Sequence, residues 1–273
     1  MPRSRTPHDL HVVSTETITP HLTRVWFTGP GFDAIAARTQ TDAYVKLVFL
    51  RDGVDYPEPL DLGVVQETLP PEAQPTLRTY TVQQVDDESR RFAIDFVVHG
   101  DEGIAGPWAA RAQAGDRLPM MGPGGGYSPS AEADFHFLVA DETALPAVSA
   151  ALRGMPAGAR GVVYAETGEP SDEVALPLPD GFEVHWVRRV GEDHSQLRDA
   201  VLAAPWPDGV VQVFAHGEAE VTMRGLRPYF RKERAVPASL ASISGYWRHG
   251  RSEEAFRTWK RELAAEDEVA PVA

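Results

Sequence analysis

Five short segments hold the residue types with which a protein handles a flat-ringed, phosphate-bearing ligand. The first is Arg78-Thr79-Tyr80-Thr81. It supplies a cation for a phosphate, a flat aromatic ring and a hydroxyl, which are the three functions a flavin needs at its phosphates, its ring and the region of N5. In a strand, alternation puts Arg78 and Tyr80 on one face and Thr79 and Thr81 on the other. An ordinary amphipathic strand has the same pattern, so the motif alone decides nothing. The second segment is Val97-Val98-His99-Gly100, leading into Gly103-Ile104-Ala105-Gly106-Pro107-Trp108-Ala109-Ala110. A strand that ends in a glycine turn before a short helix exposes backbone N–H groups suited to pyrophosphate. A tight strand–helix connection with Trp108 in the core is the plainer alternative.

Asp141-Glu142-Thr143-Ala144-Leu145-Pro146-Ala147 stands where an α/β unit places a dinucleotide pyrophosphate, although no G-x-G-x-x-G is present. Thr143 either caps the following helix and binds phosphate or only caps it. Phe214-Ala215-His216-Gly217-Glu218-Ala219 is a further strand end opening a helix. Gly217 permits close approach, and Glu218 suits a first helical turn by dipole alone. Gly245-Tyr246-Trp247-Arg248-His249-Gly250 sets adjacent aromatics beside an arginine, which either cover a flat ring or pin the C-terminal segment to the core.

The elements that must position these segments fall into two rhythms. Up to about residue 127, short strands alternate with Pro/Gly turns: 10–15, 22–28, 43–50, 77–84, 91–98 and 117–121. Such a series indicates a six-stranded antiparallel β-barrel. Beyond the stretch Gly122-Pro123-Gly124-Gly125-Gly126-Tyr127, strands at 135–140, 161–165, 182–187 and 210–215 alternate with helices at 143–153, 195–203 and 218–231. That alternation indicates a parallel sheet with helices on its faces. The expected domains are 1–130 and 131–273, with a last strand over 242–247, a charged helix over 252–264 and a frayed tail from Glu266.

Composition narrows the chemistry. The 273 residues include no cysteine, which removes disulfides, iron–sulfur clusters and a cysteine nucleophile from this chain. The formal net charge of −14 argues against nucleic acid and against a basic membrane-binding face. No apolar run is long enough to span a bilayer, and the basic start of the chain lacks the apolar core of a signal peptide, so a cytoplasmic protein is expected. A monomer is expected as well. The basic residues are 23 arginines and three lysines, and Lys46 is the only lysine in the first half. No H-E-x-x-H or tight His/carboxylate cluster predicts a bound metal, and no G-x-S-x-G predicts a hydrolase.

Taken in order, the five segments resemble the siderophore-interacting proteins, FAD-dependent ferric-siderophore reductases of the ferredoxin–NADP⁺ reductase-like superfamily. The resemblance runs from about Val12 to Leu263 and includes Tyr44-Val45-Lys46-Leu47-Val48-Phe49 and the R-x-Y-[ST] signature at Arg78, Tyr80 and Thr81. It implies a flavin-binding barrel followed by a nicotinamide-binding α/β domain, and an enzyme that passes electrons from NADH or NADPH through FAD to ferric iron, releasing Fe(II). The cofactor ligands it implies are Arg78, Tyr80, Thr81, Val98, His99, Gly106, Trp108 and Ala109 in the first domain. In the second they are Thr143, Ala144, Gly217, Glu218 and Trp247. Lys46 and Arg248 are the implied contacts to an anionic ferric siderophore. A ferredoxin is an alternative electron source; another acceptor, or a redox-inactive siderophore-binding protein, is the alternative function. Two departures stand out: the turn before Trp108 lacks the serine that the family often has, and positions 124–127 are Gly-Gly-Gly-Tyr where some members place a basic residue. Glu166, ending the second α/β strand, favours NADH by accepting from ribose hydroxyls and repelling a 2′-phosphate, whereas Arg188 and Arg189 would favour NADPH.

Overall fold

The computed structural model describes residues 5–101, 103–191, 193–250 and 259. The chain divides into two compact units, one comprising Met1–Ser130, Leu145–Ala157 and Glu169–Pro179, the other Ala131–Ala144, Gly158–Gly168 and Asp180–Ala273. The helix expected over 252–264 and the tail beyond it lie outside the described residues, apart from Trp259.

The first unit is built from seven antiparallel strands in two sheets. Strands β1 (His11–Thr19), β2 (Leu22–Thr28), β5 (Gln84–Asp86) and β6 (Arg91–Val97) form one sheet, ordered β1-β2-β6-β5. Strands β3 (Tyr44–Phe49), β4 (Thr76–Thr81) and β7 (Met120–Gly124) form the other, ordered β4-β3-β7. Isolated bridges His8↔Met120 and His11↔Arg117 link the sheets on one side. On the other side, Val82 N–H bonds to the Ala43 carbonyl and Gln83 N–H to that of Ala93. The result is barrel-like without one continuous ladder, and the count exceeds six because the three-residue β5 adds an edge. Alternation along β3 sends Val45, Leu47 and Phe49 inward to meet Phe27, Phe92 and Phe96. Burying each of these aromatic side chains contributes about 1.5–3 kcal/mol. Short helices α1 (Phe32–Ala36), α2 (Leu62–Thr68) and α3 (Ala105–Arg111) fill the connections.

Strand β7 starts and ends three residues later than its sequence pattern suggests. Residues 116–118 are taken up by the N-terminal segment, through Val12 N–H to the Asp116 carbonyl and Leu118 N–H to the Leu10 carbonyl. The glycine stretch then pairs with β3, Gly124 opposite Tyr44. A Cβ at Gly124 would lie 2.7 Å from the end of the Tyr44 ring, so the bare glycine lets that ring lie across the strand.

The second unit holds five parallel strands, β8 (Phe135–Ala140), β9 (Gly161–Thr167), β10 (Phe182–Arg188), β11 (Val211–Glu218) and β12 (Ala241–Trp247), ordered β10-β9-β8-β11-β12. Helix α4 (Leu145–Arg153) follows β8 in sequence and is counted with the first unit; α5 (Ser195–Ala203) lies in the second. One face of the sheet buries Phe137, Val139, Val162 and Val213 against Leu197 and Val201 of α5 and against Leu226 and Phe230. The chain leaves β8 toward β9 and β10, then returns to the other side of β8 as β11. Such a reversal opens a crevice at the carboxyl ends of the strands, which is where open α/β sheets bind ligands.

The boundaries at β11 and at α4 differ from expectation where the site lies. Strand β11 runs on through His216 to Glu218, so Glu218 ends a strand instead of lying within a helical turn. The helix beyond it contains two π-helical stretches, Glu220–Leu226 and Tyr229–Glu233. Thr143 lies in a turn, and α4 begins only at Leu145.

Candidate functional site

The carboxyl ends of β8 and β11 meet at Asp141, which is 2% exposed. Its Oδ1 accepts from Thr143 N (2.9 Å) and Thr143 Oγ1 (2.6 Å), and its Oδ2 from Glu218 N (2.8 Å) and Trp247 Nε1 (2.7 Å). One carboxylate thus ties together the ends of β8, β11 and β12. Burial pushes the Asp141 pKa up, while all four donors favour the charged form. Gly217 has φ +143°, and a Cβ there would stand 2.7 Å from this carboxylate. Thr143 donates its hydroxyl proton to Asp141, so it fixes the turn rather than offering that proton to a phosphate. Ala144 is buried beside it, its N–H on the Asp141 carbonyl.

Glu218 caps the helix that follows, its Oε2 accepting from Glu220 N (2.6 Å) and Val221 N (3.0 Å). Its Oε1 accepts from His249 N at 3.2 Å and lies 3.4 Å from Arg248 Nη1. Arg248 Nη2 reaches Glu220 at 2.6 Å, and its guanidinium stands 5.3 Å from the Trp259 ring. Two carboxylates therefore face the charge of Arg248.

A second chain of charges joins the ends of β8, β9 and β10. Glu142 accepts from Gly168 N at 2.7 Å and from Arg189 Nη1 at 3.3 Å. Arg189 Nη1 is also 3.6 Å from Glu166 Oε1, which lies 2.6 Å from His194 Nδ1. Burial lowers the His194 pKa, but the Glu166 hydrogen bond and charge outweigh it, and the net shift is upward. Burial raises Glu166 in turn. Glu166 is fully buried, which corrects the expectation that its carboxylate meets a ribose. It lies on a strand that runs two residues further than its pattern suggests, and His194 covers it. Arg188 donates to Thr167 Oγ1 at 2.7 Å. Sequence reasoning missed Glu142, Arg189 and His194 as partners, because each lies in a connection whose path depends on the sheet order.

In the first unit β4 pairs with β3 in regular register, Tyr80 opposite Val45, Thr79 opposite Lys46 and Thr81 opposite Tyr44. Opposed residues share a face. Arg78 and Tyr80 therefore lie on the face of Leu47 and Val45, while exposed Lys46 lies on the other. Tyr80 packs 4.5 Å from the Phe96 ring, and Arg78 Nη1 donates to the Leu77 carbonyl. Thr81 is buried. Val98 N–H bonds to the His21 carbonyl, and the exposed His99 ring stands 5.8 Å from that of His21. The Trp108 ring packs on Phe27, Phe49 and Phe96, and Ala109 is buried, so both side chains belong to the core. A Cβ at Gly106 would lie 3.0 Å from the Val97 carbonyl, and no side chain caps α3. An arginine, an aromatic ring, a hydroxyl and an uncapped helix start form a donor set that fits FAD. Among the described residues, no group of three or more His, Cys, Asp or Glu is arranged to hold a metal ion.

Comparison with known proteins bears directly on this arrangement. Residues 11–127 match the siderophore-interacting FAD-binding domain family, and residues 133–250 match the siderophore-interacting protein family. The ferric vibriobactin reductase ViuB of Vibrio cholerae is 31% identical over 253 residues, covering 92% of each chain. The chain belongs to the siderophore-interacting protein family. A protein of Mycobacterium tuberculosis is 48% identical over 271 residues, 94% of this chain and 95% of its own. The crystal structure of the siderophore-interacting protein SipS from Aeromonas hydrophila superimposes with a TM-score of 0.80 at 28% identity, covering 97% of this chain and all of that one. Solved reductases of much lower identity share the fold, which is that of the ferredoxin–NADP⁺ reductase-like superfamily. As a family member the chain is a flavoprotein oxidoreductase with FAD as its cofactor. No described helix is long and apolar enough to cross a membrane.

Proposed function

We propose that this chain is an NAD(P)H-dependent ferric-siderophore reductase that releases iron from its chelate as Fe(II). The observation that carries the reading is the match along both units, in order, to a family that includes a ferric vibriobactin reductase of nearly the same extent. When bound, FAD supplies the conversion between a two-electron hydride donor and one-electron ferric iron. Fe²⁺ has the lower charge density, so a hard-oxygen chelator holds it more weakly.

The chain's own residues bind, orient and steer. Arg78 offers its guanidinium to the FAD phosphates and Tyr80 its ring face, while Thr81 offers a hydroxyl. Val98, His99 and Gly106, with the uncapped start of α3, provide backbone donors; Trp108 and Ala109 hold that start against the core. The dinucleotide donor binds at the carboxyl ends of β8 and β11, where Gly217 admits close approach and Thr143, Ala144, Glu218 and Trp247 border the crevice. Lys46 offers an exposed cation to an anionic chelate. Arg248 contributes less, because Glu218 and Glu220 offset its charge.

Anaerobic mixing tests this reading. NADH or NADPH should bleach the flavin absorbance, and a ferric siderophore should restore it while a ferrous-specific chromophore develops. A bleached flavin that no ferric chelate reoxidises would point to another acceptor. A chain whose flavin no pyridine nucleotide reduces would be a binding protein.

A further inference from the structure

We propose that Asp141 and His194 are positioning residues for Trp247, fixing its indole at the ends of the parallel strands where the dinucleotide donor binds. The inference rests on the reading of those strand ends as the donor site.

Trp247 is the last residue of β12, at the edge of the sheet, and is only half-buried. A large ring in such a place would ordinarily sample several rotamers. Here it is held from two sides. Its N–H donates to Asp141 Oδ2 at 2.7 Å. Its ring meets that of His194 edge-on, with centroids 5.1 Å apart and planes at 79°. His194 is held in turn by Glu166 at 2.6 Å, and Glu166 is fully buried with Arg189 3.6 Å away. Carboxylates from two neighbouring strands thus act on one indole, Asp141 directly and Glu166 through an imidazole. His249 adds a third contact, its ring 6.4 Å from Trp247 and 6.2 Å from His194. A tryptophan kept only for packing needs burial and no such orientation. A half-exposed ring fixed by a buried hydrogen-bond network keeps one surface ready for a planar ligand.

The same geometry makes the hold sensitive to pH. The charged or titratable groups around His194 are Glu166 from β9, Arg189 beyond β10, Asp141 beyond β8 and His249 beyond β12. Loss of the imidazolium charge weakens the bond to Glu166 and so loosens the brace on Trp247.

Nitrogen-15 NMR of the FAD-loaded chain, labelled at its six tryptophans, tests this. Trp247→Phe identifies the Trp247 indole signal. In the wild type that signal should move with pH. In His194→Gln, which removes the titrating imidazole, the part of that response due to His194 should vanish. In Asp141→Asn the indole N–H should shift and exchange faster with solvent. Calorimetric titration with NAD⁺ and NADP⁺ should give His194→Gln a Kd about tenfold higher for the preferred nucleotide, the scale of a charge-assisted hydrogen bond. Flavin content should be unchanged, and the donor KM should rise without loss of kcat. An indole signal unaffected by His194→Gln overturns the proposal, as does weakened donor binding with the signal unmoved. A wild-type chain that binds neither nucleotide overturns the donor half. In that case an indole signal that still follows His194 marks the failure as one of the donor site, not of the positioning.

Discussion

The Arg78-Thr79-Tyr80-Thr81 motif on β4 and the strand ends of the parallel sheet use their polar residues in different ways. On β4, Arg78 donates to the Leu77 carbonyl and Tyr80 packs against the Phe96 ring. At the strand ends, Asp141, Glu142, Glu166 and Glu218 are each matched to donors from other elements. The first motif offers a cation and an aromatic ring, the groups proposed above to hold a cofactor. The second is assembled by the protein itself, so its residues govern shape before they govern affinity. A substitution on β4 should therefore be felt in cofactor binding, and one at the strand ends in stability as well.

The largest effect is expected at Asp141. Asp141→Ala leaves buried donors from Thr143, Glu218 and Trp247 without an acceptor, and should destabilise the chain by about 3–5 kcal/mol. Chemical denaturation of the FAD-loaded protein measures it; a loss below about 1 kcal/mol would erase the contrast between the regions. Next comes Arg78→Ala, which should weaken FAD by about 1.5–3 kcal/mol, roughly ten- to a hundredfold in Kd, with little change in the melting of the apoprotein. Flavin content after dialysis reports it, and full retention would remove Arg78 from the cofactor site.

A smaller, pH-dependent effect is expected at His194. Its pKa is raised in the fold, so its contribution to stability is fully present below the ordinary value of 6.5 and is lost as pH rises through the raised value. The difference in stability between wild type and His194→Gln should thus be greatest near pH 6 and fade above it, as melting curves across neutral pH would reveal. A difference that grows with pH would reverse the assignment. The smallest effect is expected in the first unit at Asp33, whose ion pair with Arg90 is exposed. Asp33→Asn should leave the melting temperature within error, since exposed pairs add little; a clear drop would mean that the first unit also relies on charge networks.

How much of this was legible in the sequence follows the range of the interactions. Strands β2 and β8 and helix α5 carry the expected boundaries, because their patterns are local and their punctuation is clear. Strand β7 does not, because Gly124 pairs with Tyr44 through an absence of side chain that reads as a loop. The strand-end site was half visible. Thr143, Gly217, Glu218 and Trp247 stand out by type and place, and the structure gathers them around Asp141. Their organiser looked like an unwanted negative charge near a phosphate. His194 and Arg189 were invisible as partners because the strand order β10-β9-β8 brings them in, and nothing local in sequence encodes that order. Arg248 reads as a free cation until Glu220, 28 positions earlier, is folded against it.

The carboxylates at the strand ends also act on the backbone. Amides of Thr143, Gly168, Glu218, Glu220, Val221 and His249 donate to Asp141, Glu142 or Glu218. Their shielding from solvent hydrogen exchange depends on side chains and not on a strand or helix ladder. These amides should therefore lose protection when their carboxylate acceptors are removed by mutation, while the strands behind them are still closed. The edge of the sheet at these strand ends is in this sense a separate layer of stability, one that can loosen or tighten without the sheet itself coming apart.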